Sequence, residues 1–240
     1  MYASILKLFH DTVGRLISFQ KSTSLRKYLQ CFPDGQYFVY PKPIYISQFA
    51  ITPKYSSKYF YGKINDTEAS LRFGATGNEF SYWAWRACGI ACVQMVLLTL
   101  NLIDSRTTLM TLIQEGLSLG GYDVKKDIGW YHDALATIAQ RRGVSSKVEK
   151  FVPSSHIAKL IISGNYVLAS MKSSTGGHLL LIYGVCLKNG RVTDFILNDP
   201  NNFNKLGKQL VISKVSFEKL FTRRIIVFEH KAMKSVFEIN

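Results

Sequence analysis

The stretch "YWAWRACGIACVQMVL", from Tyr82 to Leu97, joins an aromatic segment to an apolar run. Apolar residues fall at helical spacing from Gly89 to about Leu100, which predicts a helix with a broad buried face. Cys88 stands where this helix should begin, and Cys92 lies one turn further in. The two thiols therefore occupy different environments, and their roles are expected to differ.

A nucleophilic cysteine needs a position that favours the thiolate, a base within reach and donors for an oxyanion. Cys88 meets the first need if it starts the helix, because free backbone N–H groups and the helix dipole favour negative charge there. Gly89 would also allow a substrate to approach the backbone closely. Cys92 is expected to be a small buried hydrophobe.

The base should come from the strand-rich second half of the chain. Among the five histidines, His178 opens the strand "HLLLIYGV" directly after "STGG". Asp199 in "ILNDPN" follows on the next strand, so an antiparallel neighbour can bring it beside His178 and orient the imidazole. Taken alone, an aspartate before proline more often forms a turn. Zinc binding by Cys88, Cys92 and His178 is not expected, because no fourth ligand is apparent.

The net charge of +14 is spread along the chain rather than clustered. Residues 1–80 carry ten Lys/Arg against five Asp/Glu, and residues 81–240 carry twenty against eleven. This favours a basic solvated surface, with an acidic partner or a membrane surface as the alternative, and no nucleic acid partner is expected. Walker A and Rossmann glycine patterns are missing from the sequence, so no cofactor or metal is predicted.

The N-terminal residues 1–20 have the pattern of an amphipathic helix rather than a secretory signal. No uncharged run reaches the length of a membrane span, so the pattern predicts no transmembrane segment and leaves peripheral membrane contact through this helix open. The four cysteines are scattered along the sequence, which is typical of free thiols in a reducing compartment. We therefore expect a cytoplasmic protein.

The order of elements predicts an α+β fold. Residues 1–40 are interpreted as an N-terminal accessory segment and residues 41–240 as the main domain. Proline-rich extended sequence comes first, then a polar segment over 56–80 that is expected to be a loop. Helices follow up to about residue 163, and short strands occupy the remainder, as in an antiparallel sheet or half-barrel.

The motifs "RACGIAC", "GGHLLLIYGV" and "LNDP", in this order, resemble the C39-like branch of papain-fold cysteine peptidases, and the resemblance spans roughly residues 43–228. It implies a papain-like α+β fold with Cys88 as nucleophile, His178 as general base and Asp199 as its orienting group. Bacteriocin-processing members keep an oxyanion glutamine about six residues before the cysteine, where this chain has Tyr82. The resemblance then implies Gln48 in "YISQF" as the donor, as in stand-alone members.

The expected function is that of a thiol hydrolase, a cysteine peptidase acting on a peptide or protein substrate through a thioester. Acyl or peptidyl transfer would use the same three residues with a different acceptor. A non-catalytic papain-fold binding module is the alternative from another class. Substrate specificity and oligomeric state are left open by the sequence, as is the choice between core and cleft for the aromatic residues of the nucleophile segment.

Overall fold

The computed structural model describes residues 23–50, 66–173, 176–201 and 206–239. The amphipathic helix predicted over residues 1–20 lies outside these ranges. In the described part of the chain, no helix has the length and apolarity needed to cross a bilayer.

The helices are concentrated before the main run of strands. They are α1 (23–29), α2 (Thr67–Phe73), α3 (Gly77–Ala84), α4 (Cys88–Thr99), α5 (Leu109–Ser118), α6 (His132–Gln140), α7 (Ser154–Ile162) and α8 (Lys214–Leu220). The strands are β1 (Gly35–Tyr40), β2 (Ser145–Lys150), β3 (Tyr166–Ser173), β4 (Gly176–Lys188), β5 (Arg191–Asn198), β6 (Leu210–Ser213), β7 (Phe221–Glu229) and β8 (Lys234–Glu238).

All strand pairings among the described residues are antiparallel within one sheet, whose main path is β2-β7-β3-β4-β1-β8. The long strand β4 pairs with β3 along its first half and with β5 along its second. Leu181 of β4 is in register with Asn198 of β5. Asp199, the next residue, therefore emerges beside the beginning of β4, where His178 lies.

Helix α4 is the central helix, and nearly all of its residues are buried. A helix that is apolar on every side is stable only when it is surrounded by protein. It packs against β4 on one side and against α5 and α6 on the other. The helix thereby holds its first residue, Cys88, against the sheet.

The α+β fold class predicted from the sequence is confirmed, because a helical part is followed by an antiparallel sheet. The loop predicted up to residue 80 is wrong in its described part, where α2 and α3 form. Helix α2 has signals at both ends: the Asp66 side chain accepts from the Ala69 N–H, and Gly74 takes a left-handed conformation at the C-terminus. These capping residues were overlooked among the polar residues around them.

Residues before the interpreted boundary at 40/41 also contribute to the sheet. Strand β1 pairs with β4 on one side and with β8 on the other. Residues 35–40 are thus joined to the strands of the main domain by backbone hydrogen bonds.

Candidate active site

Cys88 is the first residue of α4, as the pattern predicted, and its side chain is partly exposed. The helix has no side-chain cap at its N-terminus, so the first-turn N–H groups are available to a negatively charged group. Cys92, in contrast, is fully buried, and its Sγ donates to the Leu179 carbonyl at 3.6 Å. Its burial confirms the prediction that it is a small buried hydrophobe, and the same burial raises the pKa of the Cys92 thiol.

His178 connects Cys88 with Asp199. Its Nε2 lies 2.7 Å from Asp199 Oδ1, and the Cys88 side chain also interacts with the imidazole. Since Nε2 is engaged by the aspartate, Nδ1 is the ring nitrogen left for the thiol. The structure thus brings together the three residues that the sequence singled out.

The charge state of His178 follows from these neighbours. Burial of the ring lowers its pKa, but the hydrogen bonds with Asp199 and Cys88 more than offset this and raise the pKa of His178 to about 10. The protonated imidazole is therefore favoured at neutral pH. A protonated imidazole beside a thiol stabilises the thiolate.

Asp199 is both a turn residue and a partner of the imidazole. Its Oδ1 accepts the Asn201 N–H at 2.8 Å, forming the turn that is usual for an aspartate before proline, and the same oxygen meets His178. Its backbone is fixed as well, because the carbonyl accepts the Tyr45 hydroxyl at 3.0 Å and the N–H donates to Gly207 at 2.7 Å. Asp199 can therefore form the turn before Pro200 and pair with the imidazole at the same time.

Gln48 lies between the two halves of the site. Its backbone N–H donates to the Pro200 carbonyl at 2.9 Å, and its side-chain Nε2 donates to the Ala84 carbonyl at 2.8 Å. The side chain is buried, and Oε1 has no hydrogen-bond partner among the described residues. Gln48 is thereby tied both to the residue that follows Asp199 and to the end of the helix that precedes Cys88.

Arg86, which the sequence analysis did not single out, holds the turn before Cys88. Its guanidinium forms two bonds with Asp127, at 2.8 and 2.5 Å, and one with the Tyr82 carbonyl at 2.8 Å. Its own carbonyl accepts the Trp130 Nε1–H at 2.9 Å. In the sequence, only the position of Arg86 two residues before Cys88 could have indicated its role. Its partner Asp127 lies forty-one residues away and gives no local signal.

The aromatic residues around this turn divide into two groups. Trp83 and Trp130 are buried in the core, whereas Tyr82 and Trp85 are only partly buried. The Arg86 guanidinium lies 3.8 Å from the centre of the Tyr82 ring. Tyr82 thus packs on an arginine.

Gly89 has a packing role in the core. A Cβ at this position would lie 2.7 Å from Leu135 Cδ1 and 2.7 Å from Leu179 Cδ1. The missing side chain lets α4 contact α6 and β4 closely. Gly177, next to His178, has open space around it instead.

The other histidines do not approach the thiol in the part of the chain that the structure describes. His10 lies outside that part. His156 is partly buried and pairs with Glu149 at 2.9 Å. Among the described residues, no group of three His, Cys, Asp or Glu side chains is arranged to hold a metal ion.

The fold and site together define a class: an α+β protein with a cysteine, a histidine and an aspartate joined at the N-terminus of a central helix. No family model matches the sequence, and neither does any curated protein. Solved structures of peptidase domains are similar in part. The peptidase domain of Streptococcus ComA, a bifunctional ABC transporter involved in a quorum-sensing pathway, has 16% identity and a TM-score of 0.46, and the match covers 61% of this chain and 93% of that one.

A double-glycine-motif protease from an AMS/PCAT transporter, solved with a leader peptide, has 18% identity and a TM-score of 0.40. That match covers 59% of this chain and 82% of the protease. The ComA peptidase domain of Streptococcus mutans has 15% identity and a TM-score of 0.37, with 60% and 93% of the two chains covered.

Proposed function

We propose that the protein is a thiol hydrolase of the cysteine peptidase type that cleaves a peptide or amide bond. The proposal rests on one observation above all: the His178 imidazole pairs with Asp199 at 2.7 Å and interacts with the side chain of Cys88, which begins α4. A thiol, a base and an orienting carboxylate in this order are the elements of nucleophilic catalysis by cysteine.

In the first half of the reaction, His178 holds the proton of Cys88 and the thiolate attacks the substrate carbonyl. The oxyanion accepts the Cys88 backbone N–H and the second N–H of the Gln48 amide, whose first N–H is fixed by Ala84. The C–N bond then breaks, and His178 gives its proton to the leaving amine. The acyl group remains on Cys88 as a thioester.

In the second half, water attacks the thioester while His178 accepts its proton. A second oxyanion forms and collapses, releasing the carboxylic acid and returning the thiolate. Asp199 keeps the imidazole in one orientation throughout and stabilises its protonated form. Acyl or peptidyl transfer would differ only in that an amine replaces the water.

A peptide or protein substrate and a cytoplasmic location belong to the same proposal. The motif pattern around the three residues supports the substrate, and the four free cysteines support the location, since free thiols are typical of a reducing compartment. The division into an accessory segment, 1–40, and a main domain, 41–240, is likewise proposed. Strand β1 would then be the part of the accessory segment that joins the sheet.

The decisive experiment is pulse labelling at neutral pH with fluorescent iodoacetamide, followed by peptide mapping. We expect rapid labelling of Cys88 in the wild type and in Cys92→Ala, no rapid labelling in Cys88→Ala, and slow labelling in His178→Ala. Digestion of a peptide library, read by mass spectrometry, should then give products that require Cys88. Equally fast labelling of the wild type and His178→Ala would contradict the proposal, and labelling without products, with or without added amines, would favour the binding module.

A further inference from the structure

Strand β8 forms one edge of the main sheet. It pairs with β1 along its whole length, from Lys234 to Glu238, and no strand pairs with its other side in the part of the chain that the structure describes. The N–H and C=O groups of such an edge can pair with a further strand. Proline or a bulge often protects an edge from this pairing, but β8 contains neither. The outer side of β8 is therefore suited to accept another strand.

The sequence of β8, "KSVFE", is complementary to itself in the antiparallel direction. If two copies pair about a two-fold axis at Val236, Lys234 of each copy lies directly opposite Glu238 of the other. Directly opposed side chains point to the same face, and opposite charges in such a pair attract each other. No other antiparallel register of two β8 strands sets Lys234 opposite Glu238. The charges of the strand thus select one symmetric pairing.

Both charges are available to a second copy. Lys234 is exposed and forms no ion pair among the described residues. Glu238 accepts the Tyr40 hydroxyl at 2.6 Å and pairs with Lys42 Nζ at 3.3 Å, and both contacts are made by Oε1. Because a carboxylate has two acceptor oxygens, Oε2 of Glu238 is left for a second cation.

Phe237 adds an apolar contact on the opposite face of β8. This residue is 38% exposed, and its ring packs on Tyr37 with the ring centroids 4.9 Å apart. In the pairing about Val236, the two Phe237 side chains are diagonal neighbours on one face, a separation that aromatic side chains can bridge. Each ring would then cover part of the exposed surface of the other.

The other free sheet edges within the described ranges lack this combination. Strand β2, at the far end of the main path, also contains lysine and glutamate, but both carboxylate oxygens of Glu149 are engaged within the chain. Lys147 Nζ lies 2.8 Å from one oxygen, and His156 Nε2 lies 2.9 Å from the other. Strand β6 has four residues and no charged side chain. Charge complementarity between two copies therefore favours β8.

We propose that β8 is a dimerisation surface, along which two copies of this chain pair as antiparallel strands about a two-fold axis at Val236. Each dimer contains two Lys234–Glu238 pairs, and the sheet continues from one copy into the other. Because the contact is two-fold symmetric, it uses the edge of each copy once and association stops at the dimer. The proposal does not depend on the peptidase function: β1 pairs with the second half of β4, whereas His178 lies in the first half.

The test exchanges the two charges and measures association by sedimentation velocity. We expect the wild type to dimerise reversibly as its concentration rises. Lys234→Glu and Glu238→Lys should each raise the Kd of the dimer about tenfold or more, because every Lys–Glu pair becomes a like-charge pair. An equimolar mixture of the two variants should form a heterodimer, in which both pairs again join a lysine to a glutamate. The double variant should dimerise like the wild type for the same reason.

Lys147→Glu makes the same change of charge at the edge formed by β2, and it should dimerise like the wild type. Lys234→Glu leaves the contacts of Glu238 with Tyr40 and Lys42 in place, so its circular dichroism spectrum should match that of the wild type. A wild type that stays monomeric up to about 1 mM protein would overturn the interface. Failure of the two single variants to associate when mixed would overturn it as well, and larger assemblies that Lys147→Glu disrupts would place the contact at β2 instead.

Discussion

Gly89 of α4 faces Leu179 of β4 so closely that a Cβ on the glycine would lie 2.7 Å from Leu179 Cδ1. Leu179 follows His178 directly, and Gly89 follows Cys88 directly. The distance between helix and strand at this contact therefore sets the distance between the thiol and the imidazole. A packing contact in the core thus controls the geometry of the proposed active site.

Gly89→Ala should destabilise the protein by about 1–3 kcal/mol, because a methyl group must displace both Leu135 and Leu179. It should also slow Cys88 alkylation by separating the thiol from His178. Urea unfolding and labelling rates measure the two effects. Gly177→Ala, whose Cβ would meet nothing within 4 Å, is the control and should unfold like the wild type. Equal stability of the two variants would contradict the packing role.

Asp199→Asn should shift the pH dependence of peptidase activity. Asp199 helps to raise the pKa of His178 to about 10, so the protonated imidazole, which gives its proton to the leaving amine, persists well above neutral pH and is lost as pH rises through that pKa. Without the carboxylate the pKa of His178 falls, and the basic limb of kcat/KM moves to lower pH. An unshifted basic limb in Asp199→Asn would assign that limb to another group.

Much of the site could be predicted because its chemistry leaves local signals. An apolar run with helical period placed the start of α4 at Cys88, and strand composition placed His178 and Asp199 at the ends of neighbouring strands. The capped helix α2, in contrast, was missed because short polar helices have almost no periodicity. The packing role of Gly89 was missed because the local sequence does not show which partner packs against a helix face.

Long-range polar contacts were the other limit. Arg86 and Asp127 are far apart in the sequence, and nothing near either residue identifies the other as its partner. The register of β2 with β7, which places Lys150 opposite Arg224, likewise joins residues that are far apart in the sequence. Such pairings depend on the tertiary fold, so local patterns do not predict them.

Arg86→Gln should loosen the turn before Cys88 and lower the free energy of unfolding by about 1–2 kcal/mol, because the glutamine cannot replace the two bonds to Asp127 and the bond to Tyr82. Peptidase kcat should fall as well, since the Cys88 N–H would be less firmly placed. Arg106→Gln breaks another arginine–aspartate pair, that with Asp104, on an exposed loop. Arg106→Gln should change neither the free energy of unfolding nor kcat. Similar losses in the Arg86→Gln and Arg106→Gln variants would exclude a special role for Arg86.

Gln48→Ala tests the proposed oxyanion donor, and the chain offers a closely matched control. Gln48 and Gln94 are both buried, each donates Nε2 to a backbone carbonyl (Ala84 at 2.8 Å and Thr107 at 2.6 Å), and each has an Oε1 without a partner among the described residues. Replacement of either residue by alanine should therefore cost similar stability, about 1–3 kcal/mol.

Only Gln48→Ala should lower peptidase kcat, by about 10²–10³-fold with little change in KM, because the donor acts on the charge that develops in the transition state. Alkylation of Cys88 by iodoacetamide generates no oxyanion, so its rate should be the same in both variants and in the wild type. A parallel loss of kcat and alkylation rate in Gln48→Ala would mean that Gln48 positions the thiol instead of stabilising the oxyanion. An equal loss of kcat in Gln94→Ala would attribute the effect to the general loss of a buried amide.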